Sequence, residues 1–540
     1  MTAVARLVVS APSSGHGKTA FCVGLISALV NAGHAVAGFK VGPDHTDAAY
    51  LGLASGRPGR NLDPRLVGPH RIAPLFAHGA AGTEVAVVEG TMGLFDSLAG
   101  RSEADSTAGV AGALRAPVVL VVDVAAMGQS IAALVHGFRA YDELIWLGGV
   151  VLNRVASDRH EQLLRDALDE IGVPVVGALR RGELAISGPG ALPARSLGVV
   201  PVLHRAVDGI RAVRRLGEAV AGGVDLERLL ALARSAPRLG ADSWSATEAA
   251  AGADVAEPVT LAGGRRPVVA LAGTPAVAYG YAETAELLTA AGAAVVAVDP
   301  LRDETLPEGT DALVISGGLP ESYADELSAN VRLRAAVAEL AHAGRPVLAE
   351  GTGLLWLSRE FDGRPMCGVL DAVGLRTDHI VIGYREATAR ASSPVAQLGA
   401  RVVGYKQHRS LVTPRAGQTP AWTWNGGAPE GFVWRRVHAS FLTLHWAGAP
   451  EIARRLLAAA SAGSGAAALA AAGMPAATSD VPAASGMPAA SGVPAASGVP
   501  AGPAEPGGAL SGPTIAHPVL RGDPALSGAA PISPAAEAGE

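Results

Sequence analysis

Twice along this chain, short Val-rich runs alternate with stretches long enough for a helix. In the first half the runs lie at 7–10, 35–41, 85–88, 118–122 and 148–152. β-Branched runs of this length, separated by helical segments, predict a parallel sheet covered on both faces. Between the first two runs Phe21, Leu25 and Leu29 recur every four residues, the apolar stripe of a helix packed on that sheet. The alternation resumes at Pro267, with runs at 268–271, 294–298, 312–315 and 346–349. The reading is two α/β domains, over 1–235 and 267–459, joined by an Ala/Gly/Ser-rich linker over 236–266.

Composition agrees with this division. A chain of 540 residues is too long for one ordinary domain. Hydrophobic residues make up 49% but aromatics only 4%, so the cores must be built mainly of Val, Leu and Ala. The net charge of −6, without a basic block, argues against nucleic acid as a partner. The two cysteines, Cys22 and Cys367, make neither a disulfide framework nor a Cys-rich metal site, and Cys367 reads as a buried small hydrophobe. No segment approaches the ~20 apolar residues that span a bilayer. A reduced, cytoplasmic chain without a signal peptide is expected. The tail over 460–540 carries "VPAASGMPAASGVPAASGVPAG", a six-residue Pro/Ala/Ser/Gly unit with little to bury, and disorder is expected there.

Two glycine turns carry the chemistry. The first, "VVSAPSSGHGKTAFCVGL", sets Gly15, Gly17, Lys18 and Thr19 between a strand and a helix. Backbone N–H groups of such a loop cradle phosphates, Lys balances their charge, and the Thr hydroxyl can hold Mg²⁺. Pro12 stands where the strict pattern has Gly. Asp44 and Asp47 follow the second strand and Glu89 the third. Ligand groups gather at the carboxyl ends of strands in open α/β sheets, so these three are expected to converge on a nucleotide triphosphate. The second turn, "LAEGTGLLWL", has the strand–turn–helix shape that lifts a nucleophile toward a substrate, yet no Cys or Ser stands at its tip.

The motifs "KVGPDHTD", "GRPGRNLD", "VVEGTMGLFDS", "VVDVAAMGQSIAALVHGF" and "LNRVASDRHEQLL" resemble the cobyrinic or hydrogenobyrinic acid a,c-diamide synthases of the cobalamin pathway, relatives of dethiobiotin synthetase. The resemblance runs in order from about residue 5 to 450. It implies an ATP- and Mg²⁺-dependent, P-loop parallel-sheet synthetase domain followed by a class I glutamine amidotransferase-like α/β domain. ATP would phosphorylate a corrinoid carboxylate, and ammonia would displace the phosphate.

On this resemblance Gly15, Gly17, Lys18 and Thr19 would hold the phosphates, and Thr19, Asp47 and Glu89 the metal. Asp44, Asp47 and Glu89 would be catalytic, and Asn153 would face the adenine. The sequence departs from the family pattern at Ala48, usually Pro, and at Leu51, commonly His. "ISGGLPESY" resembles the segment whose glycines, here Gly317 and Gly318, frame the oxyanion hole. "LAEGTGLLWL" and "VHASFLTLHW" match the segments that carry the glutaminase Cys and His. Gly351 and Thr443 stand at those two positions, and neither can be a nucleophile or a base near neutral pH.

The expectation is a synthetase with a dead glutaminase, supplied by free ammonia or by a separate glutaminase. A displaced Thr352–His445 pair is a conceivable substitute. Corrinoid, ammonia or glutamine are the expected small-molecule partners, and a second copy of the chain is admissible. The competing readings are a non-catalytic nucleotide- or tetrapyrrole-binding scaffold and a ligase of the dethiobiotin synthetase type.

Overall fold

The computed structural model describes residues 4–97, 103–184, 194–195, 198–199, 206–252, 257–274, 277–278 and 280–471. The first half builds a seven-stranded sheet from β1 (Ala5–Ser10), β2 (Val36–Val41), β3 (Arg60–Leu62), β4 (Val85–Glu89), β5 (Val118–Asp123), β6 (Leu147–Val155) and β7 (Val175–Arg180). Their order across the sheet is β3-β2-β4-β1-β5-β6-β7, and every pairing is parallel. Such a sheet must be covered on both faces, and β1, β4 and β5 are accordingly almost wholly buried.

Helix α1 (Lys18–Asn31) follows β1, and Phe21, Leu25 and Leu29 are all buried in it as the sequence predicts. Its outer side lies close under helix Ala206–Gly223, where a Cβ on Gly24 would stand 2.7 Å from the Leu216 carbonyl. Helix α2 (His45–Ser55) follows β2 and is capped by Asp44, whose Oδ1 accepts from the backbone N–H groups of Thr46 and Asp47. Ala48 and Leu51, the two departures from the family pattern, are both buried, so their roles are packing ones. The segment between the domains is packed: Trp244 lies edge-on to His78, and residues Ala246–Ala251 form a helix.

In the second half β8 (Val268–Thr274), β9 (Ala294–Val298), β10 (Thr310–Ile315) and β11 (Val347–Glu350) repeat the parallel pattern. A long hairpin follows, β12 (Leu370–Ala389) against β13 (Arg401–Thr413), in a separate five-stranded sheet. The chain then returns through β14 (Phe432–Trp434) and β15 (Val437–Ser440), giving the order β9-β8-β10-β11-β15-β14. Helix α3 (Ala282–Ala290) lies between β8 and β9, and the one-turn helix α4 (Gly353–Leu357) follows β11.

Apolar packing runs without a break between the halves, from Phe39, Leu62 and Leu66 to Tyr281, Leu287 and Trp446. Buried polar links cross the same boundary. Arg60 bonds Glu283 at 2.6 Å and pairs with Glu286, Tyr384 Oη donates to Asp63 at 2.8 Å, and Tyr281 Oη donates to the Pro43 carbonyl at 3.1 Å. Helix Glu451–Ala471 continues past Ala459, and the rest of the tail lies outside the described residues. Among the described residues, no helix is long and apolar enough to cross a membrane.

Candidate active site

Between β1 and α1 the chain turns through Gly15 and Gly17, at φ +92° and +93°, a backbone region closed to most side chains. A Cβ on Gly17 would lie 2.6 Å from Asn153 Nδ2, so this glycine also permits the loop to rest on β6. Asn153 Nδ2 donates to the His16 carbonyl at 2.9 Å, and His16 Nδ1 accepts the Asp123 N–H at 2.8 Å. The loop is thus tied from below to the ends of β5 and β6. Asn153 Oδ1 is buried and has no partner.

Lys18 is folded back over its own loop. Its Nζ donates to the Ser13 carbonyl at 2.9 Å and to the Met92 carbonyl. Burial, with Lys40 nearby, lowers its pKa to about 8. Next to it, Thr19 Oγ1 donates to Glu89 Oε1 at 2.5 Å and stands 3.5 Å from Asp47 Oδ2.

Lys40, on β2, joins these carboxylates: its Nζ is 2.8 Å from Asp47 Oδ2 and 2.7 Å from Glu89 Oε1. Burial opposes the Lys40 charge, but Asp47 and Glu89 outweigh it and hold its pKa above the ordinary lysine value. Burial also raises Glu89, to about 7, against the pull of Lys40. Asp44 is raised to about 6 by burial and by the charge of Asp47. Sequence reasoning singled out all three acids but missed Lys40. A lysine inside the six-residue strand "VAGFKV" was the available signal, because a buried lysine needs a buried acid.

Among the described residues, no group of three or more His, Cys, Asp or Glu is gathered around a metal position. Thr19, Asp47 and Glu89 instead offer two carboxylates and a hydroxyl. Glu89 Oε2 is buried without a partner, so one acceptor there is unspent. Few protein oxygens are what Mg²⁺ takes when phosphate and water complete its octahedron, so the donor set fits that ion.

The second turn lies where β11 meets α4. Gly351 has φ +57°, the strained position at which a nucleophile elbow presents its side chain. A Cβ on Gly351 would lie 3.0 Å from Thr443 Oγ1 and 3.3 Å from Gly317 Cα. Positions 351 and 443 therefore face one another beside the glycine pair. Gly351, Thr443, Gly317 and Gly318 all line one narrow cleft, whose other wall includes Asp44 and His45 of the first domain.

The alternative pair is not assembled. Thr352 Oγ1 accepts the Gly318 N–H at 2.6 Å. His445 instead stacks on Tyr281, with ring centroids 4.1 Å apart, and its Nε2 lies 3.7 Å from Glu283. Cys367 is buried, and burial pushes its thiol well above the ordinary range, which suits packing and not attack.

A phosphate loop on a parallel sheet, joined through a shared cleft to an elbow domain, defines a nucleotide-binding domain fused to a class I glutamine amidotransferase fold. Residues 7–189 match the family model "CobQ/CobB/MinD/ParA nucleotide binding domain", and residues 269–450 match "CobB/CobQ-like glutamine amidotransferase domain". The chain is 52% identical over 480 residues to a hydrogenobyrinate a,c-diamide synthase of Streptomyces coelicolor, covering 84% of this chain and 97% of the relative. A Mycobacterium tuberculosis protein of the same description is 47% identical over 464 residues, covering 84% of this chain and 98% of the relative. A cobyrinate a,c-diamide synthase of Synechococcus is 34% identical over 465 residues, covering 84% and 97%. The chain belongs to the cobyrinate and hydrogenobyrinate a,c-diamide synthase family.

Proposed function

We propose that this protein is a carbon–nitrogen ligase that amidates the a and c carboxylates of cobyrinic or hydrogenobyrinic acid at the expense of ATP, using ammonia that its own elbow does not generate. The observation that carries the donor half of this reading is Gly351 at φ +57°, facing Thr443 across the place where a thiolate and an imidazole would meet.

In the synthetase half, the glycine loop receives the phosphates on its N–H groups, and Lys18 turns from its carbonyl partners to the transferring phosphoryl group. Mg²⁺, held by Thr19, Asp47 and Glu89, would offset phosphate charge during transfer. Lys40 Nζ contacts both Asp47 and Glu89, so a cation already offsets part of the carboxylate charge at the site that would hold the metal. Asn153, whose buried Oδ1 has no partner, would face the adenine amino group as an acceptor.

The corrinoid carboxylate takes the terminal phosphoryl group of ATP, and ADP leaves. The nitrogen lone pair of ammonia then attacks the acyl carbon. The C–N bond forms as the C–O bond to phosphate breaks, and nitrogen gives up a proton. Asp44 lines the cleft and, with a pKa of about 6, is suited to accept that proton near neutral pH.

The test is amidation of both corrinoids by the purified full chain with ATP and ammonium, with products weighed by mass spectrometry. Mono- and diamide masses that depend on ATP are expected. ATP binding without any amide product would instead support the nucleotide- or tetrapyrrole-binding scaffold.

A further inference from the structure

The elbow has lost more than its nucleophile and base. In an elbow of this kind the oxyanion is held by the N–H of the residue after the nucleophile, together with a second backbone N–H from a neighbouring loop. Here those groups belong to Thr352 and the Gly317–Gly318 pair. A Cβ on Gly317 would lie 3.2 Å from Thr352 N and 3.3 Å from Gly351 Cα, so the pair sits directly on the elbow. The Gly318 N–H points inward, at φ +108°, and it is already spent: it donates to Thr352 Oγ1 at 2.6 Å. Thr352 lines the cleft but is itself almost wholly buried. A glutamine carboxamide seated at this elbow would need the same N–H for its carbonyl oxygen. It would have to displace a short hydrogen bond made by the protein to itself.

Resting on the ammonia-donor reading above, we propose that Thr352 is a specificity-determining residue, whose hydroxyl closes the oxyanion hole and excludes the carboxamide of glutamine from the cleft. Donor choice is then set at two independent points. Gly351 and Thr443 remove the chemistry, and Thr352 removes the binding site. Restoring the first pair leaves the second obstacle in place.

Two experiments on the full chain test this. In the first, L-glutamine is titrated calorimetrically into the wild type, Thr352→Ser and Thr352→Gly. Ser keeps the hydroxyl and should stay closed, whereas Gly frees the Gly318 N–H and should bind glutamine. Equal binding by the wild type and Thr352→Gly, or binding by neither, would overturn the proposal. In the second, release of ammonia and glutamate from glutamine is compared between Gly351→Cys/Thr443→His and the same protein carrying Thr352→Gly as well. An oxyanion-hole donor is worth roughly 100-fold or more in rate, so the triple variant should exceed the double by about that factor. A double variant as fast as the triple, or a folded triple variant with no turnover, would contradict it. Hydrolysis of glutamine by the wild type would sink the ammonia-donor reading itself, an outcome separate from either variant series.

Discussion

The two glycine turns of this molecule are built alike and filled differently. Each follows a strand near the middle of a parallel sheet, passes through glycine at positive φ, and opens a helix. At the first turn the surroundings are charged: Lys40 pairs with Asp47 and Glu89, Thr19 donates to Glu89, and Lys18 lies folded over the loop. At the second the tip itself is uncharged, a glycine with one threonine opposite and another whose Oγ1 accepts the Gly318 N–H. The comparison shows that backbone shape and chemistry are separately maintained. The elbow keeps its shape because β11, β15 and the buried α4 hold it, and that packing needs no nucleophile.

If the comparison is right, substitutions at the two turns differ in kind. The largest effect should come from Lys18→Ala, which removes the clamp on the transferring group and should lower ATP- and ammonium-dependent amidation by about 10²–10³-fold. Thr443→Ala at the other turn should change the same steady-state rate by less than about threefold, within the range of altered packing. Similar losses in both variants would break the comparison.

Next comes Lys40→Met, which leaves the buried Glu89 and the partly buried Asp47 without their cation. A loss of about 3–5 kcal/mol in urea unfolding is expected, because a buried charge left unpaired is costly. Adding Glu89→Gln should return part of it. A neutral single variant would show that Lys40 is not the counter-ion the geometry makes it.

The smallest effect belongs to the elbow's own Glu350. It is buried, hydrogen-bonded by Trp446 Nε1 at 3.4 Å, and raised by burial to about 8. The folded state therefore keeps a proton that the unfolded chain gives up near the ordinary carboxylate value. Stability contributed here falls as pH rises from about 4.3 toward 8. Glu350→Gln should flatten that decline by roughly 2 kcal/mol between pH 6 and pH 8.5 in denaturant unfolding. An unchanged pH slope would show that Glu350 is not held protonated by the fold.

Much of this was legible in the sequence, for local reasons. Gly15, Gly17 and Gly351 announce turns because glycine is the residue that positive φ favours, and Asp44, Asp47 and Glu89 announce a site because they follow strands of a parallel sheet. What stayed hidden depends on partners far along the chain. Lys40 meets Glu89 from 49 residues away, and Thr352 meets Gly318 from 34. The pairing of Thr352 with His445 failed for the same reason, since Tyr281 and Glu283 claim that histidine. The strand Arg60–Leu62 is too short to register as a run, and β12 reads "LDAVGLRTDHIVIGYREATA", whose scattered charges mask a partly exposed hairpin strand.

Nitrogen is expected to reach the corrinoid without passing through glutamine hydrolysis on this chain. The most direct measurement supplies the purified protein with ATP, hydrogenobyrinic acid, amide-¹⁵N glutamine and an equal concentration of unlabelled ammonium. The masses of the amide products are then read. Amides that carry no ¹⁵N are expected. Products enriched in ¹⁵N, in the absence of any other glutaminase, would contradict this.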